Sequence, residues 1–123
     1  MDPLRRLSFH TEMLQHQEHF DKLWEKEVWS TIRSYNDENL SKYRPGNIYQ
    51  VIVKGKPLFD AILLSVRETS ADELFGDYLD DLFYDVKVWG EPNWYWWDKI
   101  LSMKKSLWLT FKTLEFPVKR VTL

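Results

Sequence analysis

Cysteine is absent from this chain of 123 residues. Without thiols there can be no disulfide framework, no thiolate zinc site and no cysteine nucleophile. No apolar run approaches the roughly 20 residues of a membrane-spanning helix, and the first ten residues, MDPLRRLSFH, lack the apolar segment of a signal peptide. These absences predict a soluble, cytoplasmic protein that does not enter a membrane.

The motifs of several catalytic classes are also missing. There is no Gly-rich phosphate loop, no Ser-His-Asp order and no Cys/His cluster. His16 and His19, on one predicted helix, are the nearest approach to metal ligands, but a metal site needs three or four ligands that converge. We therefore predict neither a metal nor any other cofactor.

Charge is unevenly spread along the chain, although the net charge is only −2. Residues 72–85 contain six acids and no base, whereas residues 26–56 contain six bases against three acids and residues 99–120 contain six bases against one acid. A segregation of this kind can place a positive groove on a mildly acidic protein, although a solvated face is the more common explanation of any single run.

Aromatic residues are more abundant than a core of this size requires, with 7 Trp, 6 Tyr and 7 Phe. In the run WYWW at 94–97, four consecutive helical positions cover about 300° of the circumference, so they cannot all face one core. Trp94 and Trp97 share a face, which leaves Tyr95 or Trp96 for a nucleic-acid base, a protein surface or another subunit.

Periodicity and turn residues predict one domain over residues 1–123. Its class is α+β: a small, mostly antiparallel β-barrel with two or three helices packed outside. The predicted strands are 6–10, 28–35, 48–53, 57–68 and 106–118, and the predicted helices are 11–25, 70–83 and 93–105. Residues 36–47 are predicted as a polar loop that ends in a tight turn at Pro45-Gly46-Asn47, and KGK at 54–56 as a hairpin.

The order of these parts resembles the ASCH domain, a member of the PUA-like superfamily of small barrels associated with RNA. The segments that carry the resemblance are LSFH, STIR, YRPGNIYQVIVKGK, VRETSADEL and LWLTFKTLEF, spread over nearly the whole chain. The family's signature resembles G-x-K-x-x-T-x-R. Thr31 and Arg33 occupy its last two positions, whereas Lys26 and Val28 stand where glycine and lysine are expected.

One branch of that family removes the acetyl group from N4-acetylcytidine with a lysine, a threonine and a glutamate. The resemblance maps the threonine onto Thr31 and the glutamate onto Glu91, but the lysine position is Val28. Valine can act neither as a base nor as a nucleophile. The sequence therefore favours a protein without catalysis, and leaves a hydrolase of this family, acting on acylated cytidine or on RNA, as an alternative.

The leading hypothesis is that a cleft in the barrel binds single-stranded RNA or a modified nucleotide. In a strand over 28–35, one face carries Trp29, Thr31, Arg33 and Tyr35, and basic residues follow in the next loop and hairpin. The predicted nucleic-acid-binding residues are Trp29, Thr31, Arg33, Tyr35, Lys42, Tyr43, Arg44, Lys54 and Lys56. Two alternatives stay open: Arg33 could instead bind loop carbonyls for structural reasons, and the chain could be a protein-interaction module of the viral or mobile-element kind.

Overall fold

The computed structural model describes residues 5–9, 26–53, 55–70, 87–88, 91–92, 102 and 104–118. In these ranges the strands are β1 (Arg6–Phe9), β2 (Val28–Ser34), β3 (Ile48–Val53), β4 (Lys56–Thr69), β5 (Lys87–Val88), β6 (Glu91–Pro92) and β7 (Ser106–Thr113), and the helix is α1 (Asp37–Lys42). The predicted helix over 11–25 and nearly all of those over 70–83 and 93–105 lie outside the described residues.

Five strands form one sheet in the order β1-β3-β4-β7-β2. Strand β1 pairs with β3 in parallel, and the other three pairings are antiparallel. The sheet is curled into a half-barrel, which confirms a β-rich, mostly antiparallel and barrel-like fold. The short strands β5 and β6 pair separately as a two-stranded ribbon.

The curl has a local cause in β4. The register between β4 and β7 shifts between Leu63 and Ser65, which leaves Leu64 as an extra residue in the long strand. Such a bulge bends its strand and increases the local twist. As a result Phe9, on one edge strand, reaches Trp29, on the opposite edge strand, with 6.2 Å between the ring centroids. The two edges of the sheet thus approach each other across the interior.

The concave face of the sheet holds an aromatic core. The Trp29 ring stacks on Phe111 at 4.9 Å between centroids, and Tyr49 meets the same Phe111 edge-on at 5.7 Å. The indole Nε1 of Trp29 donates a hydrogen bond of 2.9 Å to Oγ1 of Thr113. Alternation explains the pattern, since inward-facing positions of neighbouring strands lie opposite each other in the sheet.

The segment predicted as a polar loop begins instead with a helix, so that part of the prediction is wrong. Helix α1 starts after Asn36, whose side chain accepts a hydrogen bond of 2.7 Å from the backbone N–H of Asn39. Asp37 and Glu38 occupy the first turn and Lys42 the last, an arrangement that the helix dipole favours. The cap and these charges outweigh the turn-forming composition of the segment.

The two predicted turns are confirmed. Gly46 has φ of 89° in the turn before β3, and Gly55 has φ of 75° in the hairpin between β3 and β4, conformations that favour glycine. Among the residues described, no helix has both the length and the apolar character needed to cross a membrane.

Candidate nucleic-acid interface

The side chains of β2 that face the sheet interior are buried near the start of the strand and partly exposed near its end. Trp29 and Thr31, near its start, are 2% and 0% exposed. The Trp29 ring is committed to the core, so it is not available to stack on a base, and the Thr31 hydroxyl is closed off from a bound molecule. Both residues are thus part of the scaffold, which corrects the expectation that they contact a ligand.

Arg33 lies on the same side of β2 but is only half-buried. Its guanidinium carbon lies 5.0 Å from the centroid of the Phe9 ring, so the cation spans the space between the two edges of the sheet. The Nε and Nη2 atoms are shielded from solvent, and no acceptor within the described parts of the chain bonds them. These two nitrogens do not bind loop carbonyls there, as the structural alternative for Arg33 would require.

Glu68 in β4 and Lys105, just before β7, lie on the same face of the sheet as Arg33. Arg33 is opposite Leu107 in β7, and Leu107 is opposite Glu68 in β4. Just before β7, Lys105 places Nζ 3.1 Å from Oε1 of Glu68 and 5.4 Å from the centroid of the Tyr35 ring. We call Arg33, Tyr35, Glu68 and Lys105 the rim site.

The rim site contains one exposed ring and two cations whose surroundings differ. Tyr35 is 38% exposed, unlike the other predicted stacking residues. The hydrogen bond and the charge of Glu68, followed by the charge of Tyr35, raise the pKa of Lys105 above its ordinary value. Lys105 therefore stays cationic at physiological pH, but Glu68 already neutralises part of its charge.

A second group of cations lies at the C-terminal end of α1 and just after it. Lys42 and Arg44 are exposed, whereas Tyr43 between them is 4% exposed and packs on Tyr49 with 5.6 Å between the ring centroids. Tyr43 is therefore a core residue and not a stacking platform, which corrects the prediction. We call residues 42–47, which run from the last residue of α1 to the turn before β3, the basic loop.

Helix α1 links the rim site to the basic loop. The Asn39 Nδ2 donates a hydrogen bond of 2.8 Å to the carbonyl of Ser34, which ties the helix to the end of β2. A six-residue helix is about 9 Å long. The backbone of Lys42, at the end of α1, therefore lies roughly that far from the start of the helix, which comes two residues after Tyr35. The two groups of cations are therefore within reach of one short oligonucleotide.

One further predicted cation, Lys56, lies at the hairpin. Lys56 is exposed and pairs with Val53, which in turn pairs with Phe9, the residue beneath the Arg33 guanidinium. Two strand spacings put the Lys56 backbone about 10 Å from that of Phe9. Lys54 lies outside the described residues.

The two residues proposed for catalysis lie in different sheets of the described structure. Thr31 belongs to the five-stranded sheet and is buried, whereas Glu91 belongs to the β5-β6 ribbon. In the ranges that the structure covers, no group of three His, Cys, Asp or Glu side chains is arranged to hold a metal ion. The described residues therefore give no support to a Thr–Glu hydrolase.

No protein-family model, curated protein or solved structure matches this chain. The resemblance to the ASCH domain thus stays a prediction that depends on sequence motifs and on the order of the elements.

Proposed function

We propose that this chain is an ASCH-like, PUA-like barrel module that binds single-stranded RNA or a modified nucleotide, without catalysis. The surface is formed by the rim site and the basic loop, with Lys56 beside them. One observation carries the proposal: Arg33 holds two shielded guanidinium nitrogens over an aromatic ring with no acceptor in the described part of the chain.

The chemistry of Arg33 favours an anionic or carbonyl-bearing ligand. A buried donor without a partner costs about 1–3 kcal/mol. A ligand that displaces the atoms covering Nε and Nη2 and supplies an acceptor would recover that cost. Guanidinium groups bind phosphate through two parallel hydrogen bonds, which are stronger than bonds between neutral groups. The Phe9 ring lies 5.0 Å from the guanidinium carbon and covers one side of the cation.

The surroundings favour a single strand over a duplex. The exposed ring of Tyr35 offers a stacking surface, and a base stacked on an aromatic side chain contributes about 1–3 kcal/mol. A base can reach such a ring only when it is unstacked from its neighbours, as in loops and single strands. Lys42, Arg44 and Lys56 then supply cations for the phosphates on either side.

The test is a titration of fluorescently labelled single-stranded RNA at low and at raised salt. We expect the double variant Arg33→Ala/Arg44→Ala to bind at least about tenfold more weakly and with a smaller salt slope. Arg67→Ala is the matched control, since Arg67 packs over Trp108 on the opposite face of the sheet. Absence of binding, or equal binding by the double variant, would end the proposal.

Competition with unlabelled ligands identifies the preferred form. We expect single-stranded RNA or a nucleoside monophosphate to displace the labelled strand, and a blunt duplex of equal length to displace it much less. Displacement by duplex and single strand in equal measure would show that charge alone, and not the Tyr35 ring, accounts for binding.

A further inference from the structure

Tyr49 lies beneath the basic loop with its hydroxyl directed at the loop backbone. The residue is fully buried, and its ring packs between Tyr43 and Phe111. The hydroxyl donates a hydrogen bond of 2.6 Å to the carbonyl of Lys42 and accepts one of 3.0 Å from the backbone N–H of Arg44. One core side chain thus holds the backbone on both sides of Tyr43.

The other backbone N–H groups of the loop are also bonded within the protein. Those of Tyr43, Gly46 and Asn47 donate to the carbonyls of Asn39, Leu63 and Arg44, and residue 45 is a proline. The loop therefore offers a ligand no free backbone donor between residues 43 and 47, and its contacts must come from the side chains of Lys42 and Arg44.

Those two side chains are constrained above a fixed backbone. Lys42 Nζ lies 5.1 Å from the centroid of the Tyr43 ring, and Arg44 Nε donates a hydrogen bond of 3.4 Å to the carbonyl of Ser41. Holding a contact group in place before binding lowers the ordering cost that association must otherwise overcome.

From this arrangement we infer that Tyr49 is a positioning residue for phosphate recognition. Its hydroxyl fixes the basic loop so that Lys42 and Arg44 present two cations to successive phosphates of a single strand. The inference deepens the proposed function and depends on it. Tyr49 itself, being fully buried, does not touch the ligand.

The experiment compares Tyr49→Phe with Tyr43→Phe in the titration of labelled single-stranded RNA. Both changes remove one hydroxyl from the same ring pair, but no hydrogen bond of the Tyr43 hydroxyl is found among the described residues. We expect Tyr49→Phe to weaken binding about three- to tenfold. With contributions of about 0.7 per phosphate contact on a single strand, its salt slope should fall by up to about 1.4.

A purely structural role would give a different result. Tyr49→Phe would then lower the melting temperature but leave the affinity and the salt slope of the folded protein unchanged, and that outcome would overturn the inference while the proposed function stands. Failure of the unaltered protein to bind RNA would overturn both.

Amide hydrogen exchange on the unaltered protein provides a test that needs no variant. If Tyr49 holds the loop, the Arg44 amide should exchange about as slowly as that of Leu63, which donates to the carbonyl of Asn47 in the sheet. Exchange at the rate of an unprotected amide would contradict the inference.

Discussion

Inward-facing and outward-facing side chains alternate in both halves of β2, but the two halves differ in how deeply the inward-facing side chains are buried. Trp29 and Thr31 are buried in the aromatic core, whereas Arg33 and Tyr35, two and four residues beyond Thr31, reach the edge of the half-barrel. The first half contributes mainly to the stability of the sheet. Arg33 in the second half is a partly shielded cation, and Tyr35, the residue after the strand, adds an exposed ring.

This difference indicates how a small sheet can carry a binding surface. The core half of β2 is fixed by stacking and by the hydrogen bond from Trp29 to Thr113. Because that half cannot move without breaking the core, the residues that follow it are held in a defined direction. Substitutions in the first half should therefore change folding, and those in the second half should change binding.

The largest effect is expected at Trp29. Replacing a buried Trp by Ala costs about 3–5 kcal/mol of unfolding free energy, and Trp29→Ala also leaves the Thr113 hydroxyl without its donor. Tyr35→Ala should change the unfolding free energy by no more than about 0.5 kcal/mol but weaken RNA binding. Urea denaturation and the RNA titration measure the two effects; equal loss of stability in both variants would remove the distinction between the halves.

A smaller effect, in the opposite direction, is expected at Glu68. The carboxylate pairs with Lys105 and competes with any phosphate for that cation. Exposed ion pairs are weak, so Glu68→Gln should tighten RNA binding by only about 1.5- to 5-fold at low salt. The matched control is Glu27→Gln, which breaks the pair with Lys112 on the other face. Equal tightening in both variants would indicate a general charge effect and not a property of the rim site.

The smallest effect concerns pH. Glu68 raises the pKa of Lys105, first through their hydrogen bond and then through its charge. Because the pKa is higher in the folded state, the stabilisation is fully present below the unfolded-state pKa of lysine, about 10.4. It is lost as the pH rises through the folded-state pKa of Lys105.

Urea denaturation of the protein and of Glu68→Gln between pH 8 and pH 11 checks this assignment. The difference in unfolding free energy between the two should shrink on the alkaline side. A difference that grows with pH would show that the sign is wrong.

The strands could be predicted from sequence because alternation and β-branched residues mark them. What alternation reveals is the side of the sheet on which a residue lies, not how deeply its position is covered. For that reason Trp29 and Thr31 were expected at the ligand together with Arg33, although the curl of the sheet buries them. The cap at Asn36 and the charges of α1 can be read in the sequence, but the turn-forming residues around them make a loop the more obvious prediction; in the structure the cap and the charges prevail.

The other parts of the candidate site could not be predicted, because they depend on which distant strands pair, and a single sequence does not indicate that pairing. Glu68 and Lys105 join the rim site only because β4, β7 and β2 are neighbours in a particular register. The parallel pairing of β1 with β3 places Phe9 beneath Arg33, and no local pattern indicates it. The role of the Tyr49 hydroxyl likewise becomes visible only once the loop lies over β3.

The most direct test of the account is Arg33→Met, with the unfolding free energy and the RNA affinity measured on the same preparation. Methionine keeps an apolar contact with Phe9 and removes the two donors that have no acceptor among the described residues. If Arg33 is held for a ligand, the variant should be at least as stable as the original protein, by up to about 1 kcal/mol, and should bind RNA at least about tenfold more weakly. A variant destabilised by more than about 1 kcal/mol that binds RNA as before would show that Arg33 serves the fold, and would contradict the account.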